Sequence, residues 1–261
     1  ITFYTDSSGE VAWLSMALEP AVGDIEFDHL PIVREYVVLR AAGPISVDGK
    51  LDDRAWKRAP YTEDFVAIGT GAPAERRTRA KMLWTDTHWY LAWTMDDPDI
   101  QGEMTEHDDD VWREDSIELF MDPDDNGRNY AQIVVNPLGT VLDLTMNRPF
   151  YAGGFGDDTW TLEGLQVAVQ IDGTVGDAAR KDKSWVCEMA IPFGALESAA
   201  PSMAFPPASA DEWRVNLCRS ERDTRSEEDE LAHTAWSRTD GRDFHVPERF
   251  GRITFSDEVA E

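Results

Sequence analysis

Cysteine is nearly absent from this chain: 261 residues carry only Cys187 and Cys218. With no CxxC pair and no Cys/His ligand spacing, neither a zinc ribbon nor a disulfide-stapled scaffold fits. Both thiols lie in strand-like runs, so free buried cysteines are expected; a disulfide would need an oxidising compartment and adjacent strands. Positive charge is also scarce, with 24 Lys and Arg against 51 Asp and Glu and a formal net charge of -27. Such a field repels phosphate backbones and anionic headgroups, which disfavours nucleic acid and membrane surfaces as partners. No apolar run reaches the roughly eighteen residues of a spanning helix, so membrane insertion is not expected. The chain opens at Ile1 rather than Met, which points to removed upstream residues, yet no signal-peptide pattern marks a compartment. No nucleophile motif is present either: His29, His88, His107, His233 and His245 lack a partnered Ser or Cys setting.

What is present is a sizeable core, with 42% hydrophobic residues in a length suited to one large domain. Residues 1–43 read as a lead-in punctuated by Pro20, Gly23 and Pro31, ending in "YVVLR", a candidate edge strand of the main domain. "DGKLDDRAWKRAP" reads as a turn and a short helix, with Asp52 as N-cap, Trp56 pointing inward and Pro60 as the stop. From there strands dominate: "TRAKMLWT", "HWYLAWTMD", "DSIELFM", "YAQIVVNP", "LGTVLDLTM", "TWTLEGLQVAVQID", "SWVCEMAIP", "EWRVNLCRS" and "RFGRITF". "SERDTRSEEDE" is expected to be a solvated charged loop. Residues 44–256 are thus predicted to form an all-β, antiparallel β-sandwich, jelly-roll-like, with one or two short helices.

Three features point towards a site. "DSIELFMD" alternates so that Ile117, Leu119 and Met121 share one face, leaving Glu118 beside Phe120 on the other. If that strand pairs with "YAQIVVN", Gln132 and Asn136 project near Glu118, a patch of planar hydrogen-bonding groups that must be wet, liganded or partnered. Second, "DPDDNG" places Asp122, Asp124 and Asn126 at alternating positions before Gly127, the first half of a calcium loop. The bidentate Glu of such a loop is absent, Ile133 standing in its place, and turn chemistry alone also explains these residues. Third, Trp112 and Trp236 sit in loop-like settings with no obvious core role. Two bare indoles near planar polar groups suit a ligand with flat apolar faces and a hydroxylated rim, as a pyranose has.

The ordered blocks "ISVDGKLDDRAW", "VWREDSIELFMDPD", "VNPLGTVLD", "WVCEMAIPF", "EWRVNLCR" and "AWSRT…FHVPERFGRITF" resemble the family 9 carbohydrate-binding modules and their stand-alone relatives, over about residues 44 to 255. The resemblance implies a non-catalytic sandwich whose partner is an oligo- or polysaccharide, in well-known members the reducing end of a glucan or xylan. It also implies a secreted, periplasmic or cell-surface location and, commonly, structural calcium. By motif the sugar clamp falls on Trp112 and Trp236, and the hydrogen-bonding residues on Glu118 and Asn136. Val134 replaces an Arg that the family's binding strand can carry, and Cys218 stands where a polar contact is expected. Those losses weaken a reducing-end preference; Asn216, Arg219 and Arg222 are the residues placed to compensate. Two other function classes are open. A glycoside hydrolase would pair Glu118 with Asp115 or Asp110, and a haem-holding sandwich would use Met146 and His245. Phe244, His245, Pro247 and Phe250 are expected to play structural roles, the Phe rings closing the core and His245 satisfying a local hydrogen bond rather than touching ligand.

Overall fold

The structure is a computed structural model that describes residues 33–260 apart from 178, 225–230 and 242. Residues 1–32 of the expected lead-in lie outside the described residues, and the compact unit begins at Val33. Its elements run β1 (Glu35–Ala41), α1 (Arg54–Arg58), β2 (Val66–Ala67), β3 (Thr78–Trp84), β4 (His88–Asp96), β5 (Ser116–Asp122), β6 (Tyr130–Val135) and β7 (Val141–Met146). They continue with β8 (Gly156–Asp157), β9 (Gln166–Asp172), β10 (Ser184–Pro192), β11 (Glu212–Arg222), β12 (Leu231–Ala235) and β13 (Gly251–Ala260).

The strands join in the order β8-β7-β6-β5-β11-β13-β1-β3-β4-β10-β9, with β12 and β2 continuing from β11. The sheet doubles back on itself, so its two wings enclose one core as a sandwich. From one wing come Ile117, Leu119, Met121, Ile133 and Leu217, and from the other Trp89, Leu91, Trp93, Trp185 and Met189. Alternation decides this, since residues two apart on a strand share a face. Aromatic rings fill the join: Trp213 meets Phe255 edge-on at 4.7 Å, and Trp89 meets Trp213 at 5.7 Å. Ring pairs of this geometry add to the area they bury.

Three expectations need correction. β1 is not an edge strand: it lies between β13 and β3 and runs parallel to both, the exception to an otherwise antiparallel sheet. Tyr36 and Val38 face inward and are buried, which is why it sits centrally. The helix is flanked by Asp53, not Asp52, and no side chain caps it. Trp56 instead anchors it, fully buried, with Nε1 donating to Glu188 Oε1 at 2.7 Å. Ser220, Glu221 and Arg222 belong to β11 rather than to the expected charged loop, of which residues 225–230 lie outside the described residues.

Cys187 and Cys218 are free and buried in separate apolar clusters, and burial pushes both thiols up. Among the described residues no helix is long and apolar enough to cross a membrane.

Candidate functional site

The outer face of β5, β6, β7, β11 and β12 carries the site. Because Leu119 faces the core, Glu118 and Phe120 face outward, and the register sets Phe120 opposite Gln132 and Glu118 opposite Cys218. Gln132 in turn pairs with Leu144, Val134 with Leu142, and Ser220 with His233. A polar line results across the strands. Gln132 Nε2 donates to Glu118 Oε2 at 2.8 Å, Ser220 Oγ lies 3.2 Å from Glu118 Oε1, and His233 Nδ1 lies 3.1 Å from Ser220 Oγ. Burial pushes Glu118 up to about 7, because an ionised carboxylate loses its hydration there. Burial likewise holds His233 below its ordinary value.

Aromatic rings wall this line. Phe244 packs edge-on to His233 at 5.2 Å, and His245 sits 4.5 Å from Phe150 and 5.0 Å from Phe120. Tyr130 Oη and His245 Nδ1 are 2.9 Å apart, and burial lowers His245 to about 4, leaving a neutral imidazole at the site. The 3-10 turn Val111–Arg113 brings Trp112, 42% exposed, to a cavity shared with Phe150, Phe244 and His245. Val111 is fully buried against Val134 and Leu142, which fixes where Trp112 emerges. These four join Glu118, Gln132, Ser220 and His233 around a volume of about 420 Å³, with Leu142, Leu144 and Asp243 completing its walls.

The dense carboxylates around Trp112 have a structural explanation. The segment from Asp97 to Asp115 forms no regular ladder, so its backbone N–H groups need other acceptors. Glu114 accepts from Glu103 and Met104, Asp115 from Gln101 and Arg222, and Asp182 from Ile100. This role shifts the ionisation of Asp115 itself: burial, then the neighbouring Asp97 charge, pushes it up to about 8.

Of the expected site residues, the fold brings Trp112, Glu118 and Gln132 to one cavity. It does not bring the others. Trp236 is a correction: its ring is fully buried in the main core, with Nε1 donating to Glu63 Oε2 at 3.0 Å. Its ring lies so close to Gly251 that a Cβ there would come within 2.3 Å. Asn136, also fully buried, donates to Glu114 Oε1 at 2.6 Å and accepts from the N–H groups of Leu138 and Thr140. It closes the β6–β7 turn. Asn216 clamps Ser237 through both backbone groups, at 2.9 and 3.0 Å. Arg219 points to the inner side of β11, where it pairs with Asp97 at 2.8 Å and donates to Thr78 Oγ1 at 2.9 Å.

The calcium expectation meets a similar difficulty. Asp122 Oδ2 accepts from Gly127 N at 2.9 Å, Asn126 Oδ1 accepts from Arg128 N at 2.6 Å, and Asn126 Nδ2 donates to Asp124 Oδ2 at 2.6 Å. Arg214 and Arg252 stand 2.9 and 3.5 Å from Asp125 in the same loop. Asp122 Oδ2, Asp124 Oδ2 and Asn126 Oδ1 are thus engaged within the protein and two cations stand beside Asp125, while Asp122 Oδ1 is enclosed without a hydrogen-bond partner, so the loop offers fewer free oxygens than the six to eight calcium takes. Asp115 and Asp110 do not pair with Glu118 either. Asp115 is fully buried on backbone amides, while Asp110 bonds to Trp112 Nε1 and Arg113 on the surface. Met146 is buried among Phe120, Tyr130 and Phe250, which leaves it no route to a haem iron.

Phe150, Ser220, His233, Asp243, Phe244 and His245 line the cavity although the sequence did not mark them as ligand contacts. For Ser220 a signal exists, since it shares strand parity with Cys218, which faces Glu118. Phe244 and His245 carry no local periodicity; as expected, Phe244 packs with Phe250 in a buried cluster and His245 meets Tyr130 Oη, and both also border the cavity.

A family model described as "Carbohydrate family 9 binding domain-like" matches residues 47–258. Among solved structures, a candidate carbohydrate-binding protein from Bacteroides uniformis superposes with a TM-score of 0.65 at 15% identity, over 85% of this chain and 99% of that one. A family 9 carbohydrate-binding module from Caldicellulosiruptor kristjanssonii in complex with cellotriose gives a TM-score of 0.57 at 16% identity, over 86% and 94% of the two chains. The same organism's module in complex with glucose gives 0.57 at 15%, over 85% and 96%. At such identities the likeness establishes the fold. The curated proteins contain no match.

Proposed function

Because this chain belongs to the carbohydrate family 9 binding domain-like family, we propose that it binds a terminal sugar unit of a glucan or xylan in the cavity beneath Trp112. The observation that carries this reading is the meeting of an exposed indole with the Glu118–Gln132 pair in one cavity of about 420 Å³. Small-ligand pockets combine mostly apolar walls with a few directed polar groups. Here Trp112, Phe150 and Phe244 offer apolar faces to the C–H surfaces of a pyranose. Glu118, Gln132, Ser220 and Asp243 offer donors and acceptors to its hydroxyls. Phe244 and His245, which border the same cavity, would supply the second ring surface that Trp236 does not. Sugar complexes of the Caldicellulosiruptor modules support the ligand class.

A partly enclosed cavity of this size holds one sugar unit more readily than a long chain segment, which favours reading a chain end. Sugars gain little per atom after ordering costs, so dissociation constants on the order of micromolar to millimolar are expected. The test is calorimetry with glucose, cello-oligosaccharides and xylo-oligosaccharides, each before and after borohydride reduction. Comparable affinity for glucose and cellotriose, lost on reduction, is the expected result. Absence of binding to every glycan would refute the function; equal binding of reduced chains would refute the reducing-end reading alone.

One observation favours a second reading, hydrolysis: Glu118, titrating near 7, and Asp243 are two carboxylates in the same cavity. Incubating the protein with the same oligosaccharides and analysing for shorter products separates the two. Turnover abolished by Glu118→Gln would transfer the site to catalysis.

A further inference from the structure

We propose that His107, Asp108 and Asp143 form a site for a divalent transition cation of the Zn²⁺ type, fastening the segment that bears Trp112 to β7. Asp143 is 1% exposed, yet its Oδ1 has no hydrogen-bond partner; its other oxygen accepts from Leu162 N at 2.6 Å. Asp108 Oδ1 is likewise enclosed and unpartnered. Both oxygens face one imidazole nitrogen: His107 Nε2 lies 3.5 Å from Asp108 Oδ1 and 3.4 Å from Asp143 Oδ1. All three ligand atoms lie within 4.8 Å of one another, the one such group among the described residues.

The spacing suits a metal better than hydrogen bonds. A tetrahedral ion about 2.0 to 2.1 Å from each ligand sets those ligands roughly 3.3 to 3.4 Å apart, close to the two separations from His107 Nε2, and the two carboxylate oxygens lie within 4.8 Å of each other. An orphaned buried carboxylate oxygen is costly, and a shared cation removes that cost twice. The donor set names the class, because calcium and magnesium take oxygen ligands while imidazole with carboxylates suits zinc and its neighbours. Three protein ligands leave a fourth position for water. His107 stays half-exposed, so an ion can enter.

Placement gives the site a consequence. Asp108 N already donates to Val141 O at 3.0 Å, seating this segment beside β7, and the Trp112 turn begins three residues on. A metal here would hold the segment at both of its ligands while leaving the sugar cavity open.

The test uses chelator-treated whole chain, titrated calorimetrically with Zn²⁺ alone, followed by Co²⁺ absorption as a report of tetrahedral geometry. One saturable equivalent is expected, with a raised melting temperature and no displacement by equal Ca²⁺. His107→Ala, at an exposed position, should keep the metal-free melting temperature and weaken Zn²⁺ binding by roughly a hundredfold or more. Asp143→Asn, checked for its fold by circular dichroism, should lose the same equivalent. No saturable binding to the native chain, or unchanged binding in His107→Ala, would overturn the proposal, and equal displacement by Ca²⁺ would overturn the metal class. None of these readouts depends on the sugar site.

Discussion

Replacing Glu118 by Gln should make the protein more stable at alkaline pH and leave it little changed in acid. In the folded chain Glu118 titrates near 7 instead of its ordinary 4.5, because burial penalises its charged form. Between those values the folded protein holds a proton that the unfolded chain has released. A raised carboxylate therefore costs stability as pH climbs through that window, and the cost is complete above about 7. At about 1.4 kcal/mol per decade of proton activity, the total is roughly 3 kcal/mol. Glutamine is neutral throughout and carries no such cost. Its carbonyl can still accept from Gln132, while Ser220 can turn its hydroxyl to accept from the new amide and donate to His233. Urea unfolding of both proteins at about pH 5 and pH 8 measures the effect. The stability gap in favour of the variant should widen by roughly 2 to 3 kcal/mol between the two. Asp115 and Asp122, also raised by burial, are common to both proteins and cancel. A gap that stays constant, or that reverses at pH 8, would show Glu118 to be ionised in the folded state and refute the argument.

Trp236→Ala should lower stability by about 3 to 5 kcal/mol, the usual cost of emptying a buried indole site, read from urea unfolding. Trp112→Ala should do the opposite in kind: a loss of sugar affinity of roughly tenfold or more by calorimetry, with a nearly unchanged melting temperature. Gly251→Ala forces a Cβ to within 2.3 Å of the Trp236 ring, and overpacking of that kind should cost about 1 to 3 kcal/mol in the same unfolding assay. Arg219→Ala strands the fully buried Asp97 beside Glu221 and should destabilise by about 3 to 5 kcal/mol, with an acid-shifted stability optimum as the check.

Much of the fold is legible along the chain because alternation is a local property. "DSIELFM" commits Ile117, Leu119 and Met121 to one face whatever surrounds it, and the same logic identifies β3, β4, β6, β10 and β11. Register is less local, yet the Gln132–Glu118 contact follows once β5 and β6 are joined by a short loop. By contrast, β1 offered apolar residues without saying which strands would flank it, and its parallel seat between β13 and β3 depends on partners far away in sequence.

The site divides along the same line. From sequence alone came an outward Glu118 and Gln132, an indole at Trp112 in an acidic segment, and six ordered motifs shared with one family. Only the tertiary structure decided that Trp236 is core, that Asn136, Asn216 and Arg219 hold backbone and charge in place, and that Phe244 and His245 wall the cavity. The reason is physical: strand parity is set by neighbours two residues away, whereas exposure is set by whatever chain folds over a ring. For Trp236 that cover is Gly251 and Glu63, residues on other segments that no local pattern could announce.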